Sequence, residues 1–309
     1  MPKRRSQRGY WAMGEFYQKI ILAYFSGTGC TKAVCDCFAE QLLELGVVVI
    51  KIDIATGRQL EEQADLLVIF SPVYAFRLAS ITETWVSNLP SDTNANTSAA
   101  IISVSGGGET SPNTACRAKC KRILSRKGYN MVYEKMIVMP SNFAIQAEQS
   151  INYALLNVMP AKVKYIIQDI LAGRKRVTTP KIQDRIFAVL GKAEQFGARM
   201  FGAFIRASQR CTKCGLCISN CPQNNIRMAN GLPRFGYNCI LCLKCIYSCP
   251  NKALSPRLMK SSILKGGFDL EKMSERAKME SNGVTEYDRY KNVLWQGVIE
   301  YLHEDDHSI

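Results

Sequence analysis

Five mostly apolar runs punctuate the first half of the chain, at residues 19–25, 47–52, 64–70, 99–104 and 131–138. Between them, residues 33–45, 80–88 and 113–127 place apolar side chains at helical spacing. Apolar strands that alternate with helices predict an α/β fold, a doubly wound parallel five-stranded sheet covered on both faces. In such a sheet ligands sit beyond the carboxyl ends of the strands, where the strand order reverses. Farther along, residues 150–171, interrupted at Pro160, and 182–206 read as helices on either side of a basic break at 173–180. Ile182, Ile186, Val189 and Leu190 follow helical spacing, so this connection is expected to be a platform; the basic break reads as a solvated turn, with docking of an acidic partner as the alternative. Asn230-Gly231 between two short apolar-bearing runs signals a hairpin. Gly266-Gly267 breaks the chain before an expected helical tail at 286–302.

Candidate chemistry is concentrated in one stretch. Cys211-x2-Cys214-x2-Cys217-x3-Cys221-Pro222 is followed by Cys239-x2-Cys242-x2-Cys245-x3-Cys249-Pro250. Three thiolates on a tight turn suit three corners of an iron-sulfur cube, while the fourth, before a proline, points away and serves the other cluster. On that crossed pattern Cys211, Cys214, Cys217 and Cys249 hold one [4Fe-4S] cluster, and Cys239, Cys242, Cys245 and Cys221 hold the second. Structural zinc would leave the middle cysteine of each triplet without a role. A disulfide framework needs an oxidising compartment to which nothing at the amino terminus directs the chain. With its hairpin, the stretch resembles the bacterial two-cluster ferredoxin module, a small α+β domain.

The loops after the first, third and fourth strands are the other candidates. Ser26-Gly27-Thr28-Gly29-Cys30-Thr31 joins a strand to a helix, and such a loop is either a phosphate cradle or a simple turn; its hydroxyls favour the cradle. Pro72, Val73, Tyr74 and Phe76 lie on a proline-stiffened loop suited to flank a flat ring, or to pack back on the sheet. Ser105, Gly106, Gly107, Gly108 and Glu109 let a flat ligand approach the backbone, or form a flexible loop. Together the three loops resemble the flavodoxin family, which implies FMN, with its phosphate on the first loop and its ring between the other two. Cys30 stands where flavodoxins usually carry Asn, although its backbone amide still donates. The run from Ser105 to Arg117, followed by Met139-Pro140-Ser141-Asn142, resembles the flavodoxin-ferredoxin fusion proteins of anaerobes over nearly the whole chain. Cys30, Cys35 and Cys37, and Cys116 and Cys120, are read as buried small residues, not as a third metal site.

Composition narrows the function classes. With 309 residues, 47% hydrophobic and 21% charged, the chain has room for two modest domains, and no apolar run is long enough to cross a bilayer, so no integral membrane protein is expected. The only histidines, His303 and His307, exclude a histidine triad or a haem axial histidine in the core. A formal charge of +14 drops to about +8 with two clusters and a flavin phosphate bound. The remaining excess suits an acidic redox partner, such as a ferredoxin-like protein, or an anionic substrate; without a recognisable binding motif no nucleic acid is expected.

The expected organisation is a basic, disordered leader at 1–17, with Met13 as an alternative start, an FMN domain at 18–144, a helical connection at 145–206, a two-cluster domain at 207–257 and a tail at 258–309. The expected activity is low-potential electron transfer in an anaerobic cytoplasm, the clusters coupling one-electron carriers to a flavin that serves a two-electron acceptor. Two other readings are a self-sufficient reductase of a small organic acceptor and, with no output domain to favour it, a redox sensor.

Overall fold

The strand β1 (Lys19–Tyr24) lies inside a sheet, because every residue after Lys19 is buried. The computed structural model describes residues 17–93, 96–280 and 295–304, the side chains of 187–195 excepted. Side chains of β1 alternate between two cores: Ile20, Leu22 and Tyr24 enter one, Ile21 and Ala23 the other. The first core packs against α1 (Cys30–Glu44) and α4 (Gln149–Leu171), the second against α2 (Ser80–Asn88) and α3 (Ala118–Arg126).

With β2 (Val48–Asp53), β3 (Leu66–Tyr74), β5 (Ser98–Ser105) and β6 (Asn130–Val138), the parallel order is β2-β1-β3-β5-β6. This is the flavodoxin-like winding, whose switch point lies between β1 and β3. The sheet has a sixth strand: β4 (Arg77–Leu78) runs antiparallel to β3, so the expected five-stranded sheet is one short strand too small.

Several boundaries move. The expected loop at 71–76 is strand as far as Tyr74, because β3 continues against β5 to Pro72 and then against β4. The helix expected at 113–127 divides into a 3-10 turn, Asn113–Ala115, and α3. No break occurs at Pro160: α4 runs through it, its flanking residues Leu155, Leu156 and Val163 being held in the cores. Its exposed position spares the proline ring any tertiary clash.

Next comes α5 (Ile182–Ala203). Ile182 and Ile186 are exposed there, contrary to the expected apolar platform, while Val189 and Leu190 lie outside the described side chains. The helix attaches instead through the Asp184 carboxylate, which accepts hydrogen bonds from Ser111 and Thr114, and through buried Ala198 and Phe201.

The cysteine-rich segment is an internal repeat. The strand β7 (Ile205–Ala207), the helix α6 (Leu216–Ser219) and the strand β8 (Ile226–Ala229) recur in order as β9 (Leu232–Phe235), α7 (Lys244–Tyr247) and β10 (Leu254–Pro256). Cys211 and Cys239, like Cys221 and Cys249, are 28 positions apart. The halves interlock, since β7 pairs antiparallel with β10 and β8 with β9. The predicted Asn230-Gly231 turn closes the second pair with both residues at positive φ.

The tail folds back on the α/β domain. In α8 (Leu270–Met279), Leu270, Met273 and Ala277 pack on the first core, and Val298 and Tyr301 of α9 (Gln296–His303) pack against Val138, Ile151 and Leu155. The expected leader and Met13, most of the expected tail helix before Trp295, and His307 lie outside the described residues.

Candidate functional site

At the switch point the chain leaves β1 through residues 26–29 and enters α1 at Cys30, three residues earlier than the sequence pattern predicts. Gly29 caps the helix at φ 106°, a backbone state that side chains disfavour, and its amide donates to the Ser26 hydroxyl at 3.2 Å. Cys30 and Thr31 thus belong to the first turn of α1, where backbone amides lack intrahelical partners. Asn142, from the loop after β6, donates to the Thr28 hydroxyl at 2.5 Å.

A cleft of about 680 Å³ opens over this loop. It is lined by Ser26, Gly27, Thr28, Cys30 and Thr31, by Pro72, Val73 and Tyr74, and by Ser105, Gly106 and Gly107, so the three loops meet in one place. Four expected residues lie off its lining. Gly29 packs beneath Leu270, and Gly108 meets the Gly297 backbone. Glu109 is drawn inward, where Arg117 and the Met136 amide bind its carboxylate. Phe76 occupies the two-residue turn from β3 to β4 together with Ala75, both at positive φ (61° and 54°). A bulky side chain in that state marks stored backbone strain beside the cleft.

Other walls come from parts of the chain far away in sequence: Ser141, Asn142 and Phe143 after β6, Arg199 of α5, and Trp295 at the start of α9. None carries a local motif, although the quoted run Met139-Pro140-Ser141-Asn142 marked the first of these walls. The lining charges are Arg77, Lys119, the Glu83 carboxylate that both of them grip, and the exposed Arg199. Burial, and then the neighbouring Cys242, pushes the Tyr74 hydroxyl well above its usual range; burial likewise lifts the Cys30 thiol to about 12.

The eight cysteines of the two motifs fall into two groups. Cys211, Cys214, Cys217 and Cys249 line one small cavity, and Cys221, Cys239, Cys242 and Cys245 line another. Backbone conformation is repeated with them: Lys213 and Leu241, Gly215 and Leu243, and Asn224 and Lys252 all have positive φ at matching positions of the two halves. Alternation between right- and left-handed backbone turns successive amides inward into an anion-receiving concavity. Amides of Asn225, Leu241 and Ala253 donate to Cys221, Cys239 and Cys249 at 3.3–3.4 Å. Burial pushes the Cys242 thiol up to about 12, and Cys239 and Cys221 add to it. Among the described residues no three His, Cys, Asp or Glu side chains form a site for a single metal ion. A four-iron cluster instead takes one thiolate at each iron.

The two sites share a wall. Cys239, Ile240 and Leu241 line both the second cysteine cavity and the cleft, and a Cβ on Gly27 would come within 2.5 Å of the Cys242 carbonyl oxygen. Cys30, Cys35, Cys37, Cys116 and Cys120 are buried or partly buried, all but Cys30 away from these cavities.

No family model and no curated protein matches the chain. Among solved structures it is similar to a short-chain flavodoxin associated with a non-canonical PDU bacterial microcompartment, at 13% identity over 51% of this chain and 99% of that one, with a TM-score of 0.36. The flavodoxin of Fusobacterium nucleatum bound to flavin mononucleotide is similar at 13% identity over 49% of this chain and 96% of that one, TM-score 0.35. An NADH:FMN oxidoreductase in its apo form gives 14%, 54% and 94%, TM-score 0.38. The flavodoxin-like fold of this domain follows from the strand order, not from these likenesses.

Proposed function

We propose that this protein binds FMN in the cleft and a [4Fe-4S] cluster in each cysteine-lined cavity, and that it passes electrons between a one-electron redox partner and the flavin. The observation that carries this reading is the shared wall, in which Cys239 belongs to both its own cavity and the cleft. When bound, clusters exchange single electrons and a flavin exchanges one or two, so one-electron carriers can serve a two-electron acceptor.

On this reading, amides and hydroxyls of residues 26–31 and the amino terminus of α1 hold the flavin phosphate. Tyr74 and the Gly106-Gly107 backbone flank the ring. The inner cluster is held by Cys239, Cys242, Cys245 and Cys221, with Phe201, Ile226 and Phe235 keeping water from it. The outer cluster is held by Cys211, Cys214, Cys217 and Cys249. An FMN domain at 18–144, a connection at 145–206 and a cluster domain at 207–257 then divide the work, in an anaerobic cytoplasm.

The cleft continues beyond the three loops to Phe143, Ile145 and Trp295, which favours a second reading in which a small organic acceptor is reduced there. Substrate-dependent reoxidation of the reduced protein distinguishes a reductase from a carrier.

Anaerobic purification followed by iron, sulfide and flavin analysis tests the proposal. About eight irons, eight sulfides and one FMN per chain are expected. Eight irons without flavin would reduce the protein to a two-cluster carrier, and zinc in place of iron would remove the electron-transfer reading.

A further inference from the structure

The cluster segment has an unusual charge balance. Residues 195–268 contain eleven Lys and Arg and no Asp or Glu, whereas the remainder of the chain mixes both signs. None of these cations forms an ion pair among the described residues. Arg227 and Arg234 stand directly opposite each other across the β8–β9 hairpin, both exposed, an arrangement that like charges resist unless something else neutralises them.

Strand alternation gives this pair a defined place. Met228 and Pro233 of the hairpin line the outer cysteine cavity, and Ile226 and Phe235 line the inner one. Arg227 and Arg234, one residue out of phase, therefore point from the opposite face of the hairpin that covers both cavities. Beside the outer cavity Cys214 is exposed, as are Leu216 and Met228 at 39% and 40%, with Lys213 lying over the hairpin turn at Gly231. Lys213 lines the outer cavity together with the exposed Leu216 and Met228, and the Arg227–Arg234 pair adds charge on the other face of the same hairpin, which suits a protein surface that offers both carboxylates and apolar side chains; a nucleic-acid backbone would leave the apolar residues uncovered.

We propose that the hairpin face around Arg227, Arg234 and Lys213 is the docking surface for an acidic one-electron carrier protein, with the outer cysteine set as its port. This rests on the proposed cluster-and-flavin reading. The inner set is walled in by the cleft, which leaves the outer set to face a partner. In the reducing direction one electron leaves the carrier's metal centre and enters the outer cluster; the carrier is oxidised by one electron, the cluster is reduced by one, and no bond or proton changes. Contacts of this kind are small, short-lived and steered by charge.

The test uses the full chain, loaded with iron and flavin, and a ferredoxin of net negative charge as the probe. Arg227→Glu with Arg234→Glu is compared with Lys164→Glu with Lys175→Glu, exposed positions on α4 and in the turn after it, where the change in net charge is identical. Calorimetric titration of the oxidised ferredoxin is expected to show the first pair weakening binding at least about tenfold at low salt, and the second changing it by less than about twofold. Stopped-flow reduction by the reduced ferredoxin should slow in parallel, while dithionite reduction stays the same in both variants. Equal weakening by both pairs would reduce the effect to overall charge and overturn the assignment, as would no weakening by either. Binding of a single-stranded oligonucleotide that is lost in the first variant, with no ferredoxin binding, would overturn it in favour of nucleic acid. A full chain that takes up neither iron nor flavin would overturn the underlying reading, and the docking surface with it.

Discussion

Gly202 has room for a hydrogen atom and nothing larger, because a Cβ there would stand 2.1 Å from the Cβ of Cys239. Gly202→Ala must therefore displace the cysteine that the inner cavity and the cleft share. On the proposed cluster reading, iron is expected to fall from about eight to about four per chain, measured after anaerobic purification, with the outer set still filled. Arg117 offers a second test. It is fully buried, it bonds Ser103, Glu109 and Glu134, and its removal takes the guanidinium from two carboxylates, leaving Glu109 the Met136 amide and Glu134 Lys121 and Thr178. Arg117→Met should destabilise the fold by about 3–5 kcal/mol in denaturant titrations. Burial would raise Glu134, but Arg117, with Lys121 and Thr178, outweighs it and holds the carboxyl below its ordinary 4.5. A depressed carboxylate stabilises the fold above its unfolded-state value and loses that contribution as pH falls through its folded-state value. The penalty of Arg117→Met is thus expected to be largest near neutrality and to shrink below about pH 4.5. The grouping of the eight cysteines was legible because their spacing repeats within the sequence itself. Glu109 was not: only the fold shows that Arg117 lies within its reach.

At the level of elements, most of the sheet could be read from runs of buried residues, while the ends of elements could not. The reason is visible in β3, which outlasts its apolar run because β5 and β4 supply ladder partners beyond Phe70. It is visible again in α4, where packing on both sides of Pro160 overrides a residue that normally ends a helix. The penalty for that proline remains in the folded state. Pro160→Ala, at an exposed position, restores the missing amide donor and is expected to raise stability by about 2 kcal/mol, read as a higher denaturation midpoint with unchanged slope. The hairpin at Asn230-Gly231 was legible for the opposite reason, since its turn chemistry is entirely local.

The described chain is a flavodoxin-like sheet with a duplicated cysteine module set on its switch point and tail helices folded back on the α/β domain. The duplication could be read in the cysteines, but its interlocked pairing of β7 with β10 and β8 with β9 depends on contacts that spacing does not encode. Trp295 enters the cleft wall from more than 180 residues beyond Gly107, and nothing local announces it. One contact ties the first loop of the cleft to the second cysteine set: Gly27 lies against the carbonyl of Cys242. On the proposed cluster-and-flavin reading, a cell's iron supply should therefore govern how much flavin the protein carries. Protein made under iron starvation, with the loop at Cys242 unfixed, is expected to emerge short of FMN as well as of iron. Flavin per chain from starved and replete cultures measures the link; equal flavin in both would mean that the two halves mature independently.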